Sequence, residues 1–271
     1  KMSEINQKKS EYWALPGAAS VYHKAVYSDL GSVKVKNIVE LAIVTDAVEG
    51  RVLDAGTGTG RFAIPLAYND KNYVVALDYS KEMLELNESI SKDLDLKNIE
   101  YIHGSVEDLP FSDNEFDSVV SITVVRHFPQ WEKVLQEYIR VLKPGGTLVF
   151  EMCSADHYAF VSRFSKKRIE AAVEQDFFSY ESKVKQRDLE DWLKKNGMII
   201  TKKYTYDYLN NNQILRLITL NDFIYRVLMG VLNRILKLNF LAKLFAKLEL
   251  SILSKLPPKF SYNYMIVAVK G

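Results

Sequence analysis

The sequence predicts an α/β protein: a parallel sheet covered by helices on both faces, with a helical insertion before the last strand. Three observations carry this. Between residues 51 and 152, short apolar runs alternate with amphipathic stretches, the pattern of strand–helix units that bury a sheet from both sides. The first run ends in an acidic residue and a glycine-rich turn, Arg51-Val52-Leu53-Asp54-Ala55-Gly56-Thr57-Gly58-Thr59-Gly60. A strand-like stretch returns at 262–270 only after residues 210–259, a helical pattern far longer than a hairpin loop.

Taken in order, residues 10–50 read as helical, with Tyr12, Trp13, Tyr22 and Tyr27 preceding an amphipathic stretch from Val33 to Val44. The glycine-rich turn follows. Glycine has no Cβ and accepts positive φ, so such a turn can press its backbone against a ligand. A dinucleotide fingerprint needs its third glycine three residues after the second; Arg61 stands there and disfavours an NAD site. Lys71 to Asp78 reads as a second buried strand. Its terminal carboxylate lies where an acidic side chain can hold ribose hydroxyls, about 20 residues past the loop. Ser80 suits the N-cap of the helix opened by Lys81-Glu82-Met83-Leu84. His103 to Phe111, Phe116 to Ser121 and Leu142-Lys143-Pro144-Gly145-Gly146 before Thr147 to Phe150 complete the series. A helix over 187–196 stopped by Gly197, a strand over 198–208, and an insertion ended by Pro257-Pro258 precede the last strand.

These motifs, in this order over about residues 51–150, resemble those of class I S-adenosylmethionine (SAM) methyltransferases, most of all the small-molecule and quinone-biosynthesis enzymes. The resemblance implies a Rossmann-like, seven-stranded, mostly parallel sheet with an antiparallel last strand. It implies SAM as cofactor and S-adenosylhomocysteine as product. It divides the chain into an N-terminal lid segment (1–50), a SAM-binding core (51–209), the insertion (210–259) and a final core strand (260–271). Asp54 would accept from the methionine amino group, while Ala55, Gly56, Thr57, Gly58 and Gly60 bring backbone to the cofactor. Asp78 would hold the ribose, Tyr79 and Met83 would pack on the adenine, and Ser105, Val106 and Glu107 would line its far end. Ser121 closes the set. The family usually has aspartate at position 105; a serine hydroxyl accepts a hydrogen bond without charge assistance. The resembling enzymes also carry a histidine after the fourth strand, here His127, whose near-neutral titration suits it to take a proton from a substrate hydroxyl. The competing reading makes His127 a pocket-shaping residue. Arg126 beside it is expected to pair with an acidic substrate group or to face solvent.

Thirty-six basic against 34 acidic residues leave a net charge of +2, which argues against bulk nucleic-acid affinity. The fourth strand leads into Ser121-Ile122-Thr123-Val124 rather than an amine-methylating Asn-Pro-Pro-Tyr tetrad. A small or lipid-like acceptor is therefore expected, and no nucleic acid. A methyltransferase acting on RNA or protein, or a SAM-binding protein without turnover, are the alternatives. The single cysteine, Cys153, excludes an internal disulfide and fits a reducing cytoplasm; no metal is expected. Residues 1–20 lack a signal-peptide pattern, and no run is apolar enough to span a bilayer. The insertion carries eight basic residues against Asp222 and Glu249, amid many aliphatic ones. It reads as a lid over the acceptor, a homodimer interface, or a surface for peripheral contact with the inner face of a membrane.

Overall fold

The computed structural model describes residues 12–13, 15–163, 181–209 and 222–271. Strands β1 (Arg51–Ala55), β2 (Tyr73–Asp78), β3 (Ile99–His103) and β4 (Phe116–Ser121) run parallel in the order β3-β2-β1-β4. β5 (Leu142–Ser154) lies parallel beside β4, and β8 (Asn263–Lys270) is inserted antiparallel between β5 and β7 (Met198–Tyr206). The expected α/β sheet with an antiparallel last strand is therefore present, with one addition. Among the described residues the sheet has eight strands, because a two-residue β6 (Lys183–Val184) pairs with Cys153 and Ser154 at the end of β5. So short a strand has no periodicity to betray it.

Val52 to Ala55 and Val74 to Leu77 are buried without a break, as strands covered on both faces must be. On one face, α5 (Trp131–Val141) packs on β5 and α7 (Gln186–Lys195) on β7, and their Leu135, Tyr138, Leu189 and Leu193 share one core cluster with Leu53 and Val75. On the other, α2 (Gly31–Ala47) and α3 (Ala63–Ala67) pack Val39, Val44 and Leu66 over Val52 and Val74. α1 (Ala18–Val26) precedes α2, α4 (Lys81–Asp93) follows β2, and α6 (Ala155–Ser162) follows β5. Ser80 caps α4 as expected, accepting from the Met83 N–H at 3.4 Å. Gly197 ends the α7 turn at φ +78°. The Leu142-to-Gly146 segment departs from a simple turn: β5 already begins at Leu142, and its register with β4 shifts between Phe116 and Ser118.

The described part of the insertion forms α8 (Asp222–Ile235) and α9 (Asn239–Ser251). Its first residues, Arg216, Leu217 and Ile218 among them, lie outside the described residues, as do residues 1–11. Both helices lean on α2, where the Ser32 N–H donates to Asn233 Oδ1 (2.8 Å) and Lys34 Nζ to the Lys237 carbonyl (3.1 Å). Leu236, Ala242 and Ala246 join the core on that side. The helical part ends at Ser251, earlier than the expected stop at Pro257-Pro258, and short 3-10 turns fill the gap. No helix among the described residues is long and apolar enough to cross a membrane.

Candidate active site

The strand order reverses between β1 and β4, and in open α/β sheets the crevice at the carboxyl ends of such strands receives ligands. Here that crevice is a cavity of about 320 Å³, within the size range of small-molecule sites.

Its floor is the glycine-rich turn. The N–H groups of Gly56 and Thr57 donate to the Leu77 carbonyl at 2.8 and 2.9 Å, stitching the turn to β2. Gly56 sits at φ +78°, and a Cβ there would meet Val124 at 2.5 Å, so only glycine fits. Two carboxylates hold the turn in place. Asp54, 2% exposed, accepts through Oδ2 from Thr57 Oγ1 (2.7 Å) and the Ala63 N–H (3.0 Å). Burial pushes its carboxyl up to about 6 against the pull of those bonds. Asp78 accepts from the Gly58 N–H (2.8 Å) and the Ser80 N–H (2.9 Å), and burial likewise raises it.

The cavity wall brings together Gly56, Gly58, Asp78, Tyr79, Met83, Ser105, Val106, Glu107 and His127 from the expected set. Asp54, Ala55, Thr57, Gly60 and Ser121 do not line it. Asp54 and Thr57 brace the turn from behind, and Ala55 is fully buried in β1. Gly60 packs against Asn87. The Ser121 hydroxyl donates to the Ala55 carbonyl (3.2 Å) and bonds the Tyr138 hydroxyl (2.9 Å), beneath the floor rather than in it. Ser105 Oγ accepts from the Glu107 N–H at 3.2 Å, which closes that loop upon itself. His103, which nothing in the sequence singled out, bonds the Tyr79 carbonyl at 2.9 Å and sets its ring 6.0 Å from that of Tyr79.

Trp13 and Tyr22 also line the cavity, with ring centroids 5.7 Å apart and nearly perpendicular and with Tyr22 against Gly58; Thr123, Val124 and Phe128 join them. The N-terminal helices are tied down at several points. Gly17 N–H donates to the Glu82 carboxylate (3.0 Å), His23 Nδ1 bonds Thr59 Oγ1 (3.1 Å), and Arg61 pairs with the buried Glu40 of α2. Arg61 thus joins the glycine turn to α2 from the position where a dinucleotide site would need glycine.

Arg126 does neither thing expected of it. It is 3% exposed, pairs with Glu151 (2.6 Å) and Glu181 (3.2 Å), and donates to Asn263 Oδ1 (3.0 Å). Burial works to raise the Glu151 carboxyl, but the Arg126 guanidinium, with Lys36 behind it, holds it well below the usual range. Thr123, a β-branched residue at φ +65°, donates to Glu151 Oε2 at 3.0 Å; such a residue stays in this strained region only when its surroundings hold it there. The partners of Arg126 come from β5, residue 181 and β8, so no local pattern announced them. Among the described residues no cluster of His, Cys, Asp and Glu could hold a metal ion.

A family model described as a methyltransferase domain matches residues 47–213, more than half of the chain. The chain belongs to this family. The methyltransferase-domain match covers the sheet from β1 to β7 and every expected site residue. A demethylmenaquinone methyltransferase of Listeria welshimeri is 42% identical over 99 residues, 36% of this chain and 42% of that protein. The chain thus matches about two fifths of the length of such curated relatives. Among solved structures, a SAM-dependent methyltransferase of Thermotoga maritima superposes with a TM-score of 0.55 at 18% identity, covering 93% of this chain and 95% of that one. The magnesium protoporphyrin IX methyltransferase of Synechocystis, solved with bound S-adenosylhomocysteine, reaches 0.59 at 14% identity over 98% and 100%. At these identities the likeness is one of fold, and the fold is that of the class I SAM methyltransferases.

Proposed function

We propose that the chain transfers the methyl group of SAM to a small, lipophilic acceptor. The observation that carries this is the mixed lining of one cavity. Glycine-turn backbone and the Asp78 carboxylate share it with the side chains of Trp13, Tyr22, Thr123, Val124, His127 and Phe128. The glycine turn and its neighbours fit SAM: Asp78 retains lone pairs for ribose hydroxyls, and Tyr79, Met83 and Val106 offer flat and apolar surface for a purine. Ser105 and Glu107 lie at the far end of that purine, and Asp54, Ala55, Thr57 and Gly60 act through the turn they shape. Bound there, SAM supplies an electrophilic methyl group, and its transfer leaves the S–C electron pair on sulfur as S-adenosylhomocysteine.

The chain's part is to position the acceptor and exclude water. The aromatic and aliphatic wall does both for an apolar ring, and His127 takes the proton that a hydroxyl or acidic carbon releases. The demethylmenaquinone methyltransferases among the relatives support an acceptor of quinone type. An acceptor of that kind dissolves in a bilayer, so the reading includes peripheral work at the inner face of a membrane.

The test is transfer from methyl-radiolabelled SAM into a cell extract, separated into organic, aqueous and macromolecular fractions, with the same extract lacking the protein as control. Label in the organic fraction is expected. Label confined to macromolecules would overturn the acceptor class, and none above control would overturn methyl transfer itself. His127→Gln should lower kcat while leaving SAM affinity unchanged; an unaltered kcat would make His127 a wall residue.

A further inference from the structure

None of the described residues of the insertion lines the cavity, so α8 and α9 do not roof it as a lid would. What it shows to solvent is a second apolar face. Val227, Val231 and Ile235 of α8 and Phe240, Leu244 and Leu248 of α9 are between 41% and 66% exposed. On each helix the three are four residues apart and form one stripe, opposite the face that buries Met229 or Ala242 and Ala246. Leu238, 54% exposed, bridges the stripes at the bend. Aliphatic surface gathered to this extent marks an interaction site rather than ordinary scatter.

Charge says what it meets. Arg226, Arg234, Lys237, Lys243 and Lys247 are all exposed on the same two helices and their joint. Within residues 223–259 the only carboxylate is Glu249, which is 1% exposed and turned inward to accept from the Asp207 and Tyr208 N–H groups. A second copy on a two-fold axis would set this cationic surface against itself. An anionic surface would complement it.

We infer that the outward face of α8 and α9 docks in plane on an anionic lipid bilayer. The two stripes enter the headgroup–acyl boundary, and the arginine and lysine side chains reach the lipid phosphates. Its purpose rests on the lipophilic-acceptor reading, but docking is measured without acceptor or SAM, so either can fail alone.

The experiment is flotation of the full chain with vesicles of phosphatidylcholine alone or mixed with phosphatidylglycerol, at low and high salt. Light scattering reports mass, and calorimetry reports SAM binding. The protein should float with the anionic vesicles only, and high salt should weaken binding by roughly tenfold or more. Lys243→Glu/Lys247→Glu and Leu244→Ser/Leu248→Ser should each weaken it about as much, with thermal melting and SAM affinity unchanged. Three results would overturn the inference: no flotation, flotation indifferent to both double variants, or a stable dimer that Leu244→Ser/Leu248→Ser dissolves. Vesicle binding without methyl transfer would instead sink the proposed function and leave the docking surface standing.

Discussion

The β1–β2 and β4–β5 sides of the site bury carboxylates by opposite means. Asp54 and Asp78 are held mainly by backbone N–H groups and a hydroxyl, and burial still drives both carboxyls upward. Glu151 is held by the Arg126 guanidinium, and its carboxyl is driven down. Neutral dipoles therefore compensate burial only in part, whereas a full opposite charge overcompensates it. The first arrangement leaves donors, acceptors and backbone facing a ligand. The second locks three distant parts of the chain together behind the cavity wall.

The largest expected effect comes from breaking the locked side. Arg126→Met should leave Glu151 buried without its partner and cost about 3–5 kcal/mol in chemical denaturation. Arg126→Met/Glu151→Gln should recover much of that, while SAM affinity changes little in either variant. If SAM affinity collapsed along with stability, the two sides would be one unit and the contrast would be lost.

Glu249 extends the backbone-held solution to the insertion, and it carries the next effect. Burial raises its carboxyl from 4.5 to about 7, against the two backbone hydrogen bonds it accepts. A carboxyl that holds its proton better folded than unfolded contributes stability in acid and loses it as pH rises, here between about 4 and about 7. Glu249→Gln keeps an acceptor and should stabilise the protein by up to about 3 kcal/mol at pH 8, with no gain at pH 4. Asp207, raised to about 7 by the same burial, should leave part of the pH slope in place. Melting temperatures across that range decide it, and an unchanged slope would mean Glu249 is paired rather than proton-holding.

On the ligand side the effects move from stability to affinity. Asp78→Asn should weaken SAM binding about tenfold by removing a charged acceptor, at a stability cost under about 1 kcal/mol. A stability loss rivalling that of Arg126→Met would erase the contrast from the other direction. The smallest effect is Ser105→Asp, expected to tighten SAM binding by a few-fold through a charged acceptor at the adenine end. No tightening would show that the Ser105–Glu107 loop already positions its neighbours without charge.

How far the sequence revealed this architecture follows from the same contrast. A site built of backbone leaves a local trace, because alternating glycines, an acidic strand end and Asp78 at fixed spacing are what such a turn requires. Gly56, Gly58 and Asp78, which line the cavity, are legible for that reason, whereas Met83 and Val106 come only with the family resemblance. A site built of side-chain pairs leaves none. Arg126, Glu151, Glu181 and Asn263 are ordinary residues until the sheet assembles them, so solvent or substrate looked like natural partners for Arg126. The insertion shows a third kind of opacity. Its helices are apolar on two faces, and nothing in the order of Val231, Leu236 and Leu244 says that Leu236 alone of these faces the core. The brevity of β6 hid it in the same sense: two residues cannot carry a pattern.

The place of β8 in the sheet has a consequence for synthesis. β5 and β7 flank it and do not pair with each other, so β7 and the free edge of β5 wait for residues 263–270 before those ladders can close. Until those residues leave the ribosome, β7 is a strand without a neighbour among the described residues, while α9 already leans on it. The β3-β2-β1-β4 half needs none of this and can assemble from local contacts. The nascent chain thus passes through an interval with one half formed and the other sticky, the condition in which holding chaperones are most needed.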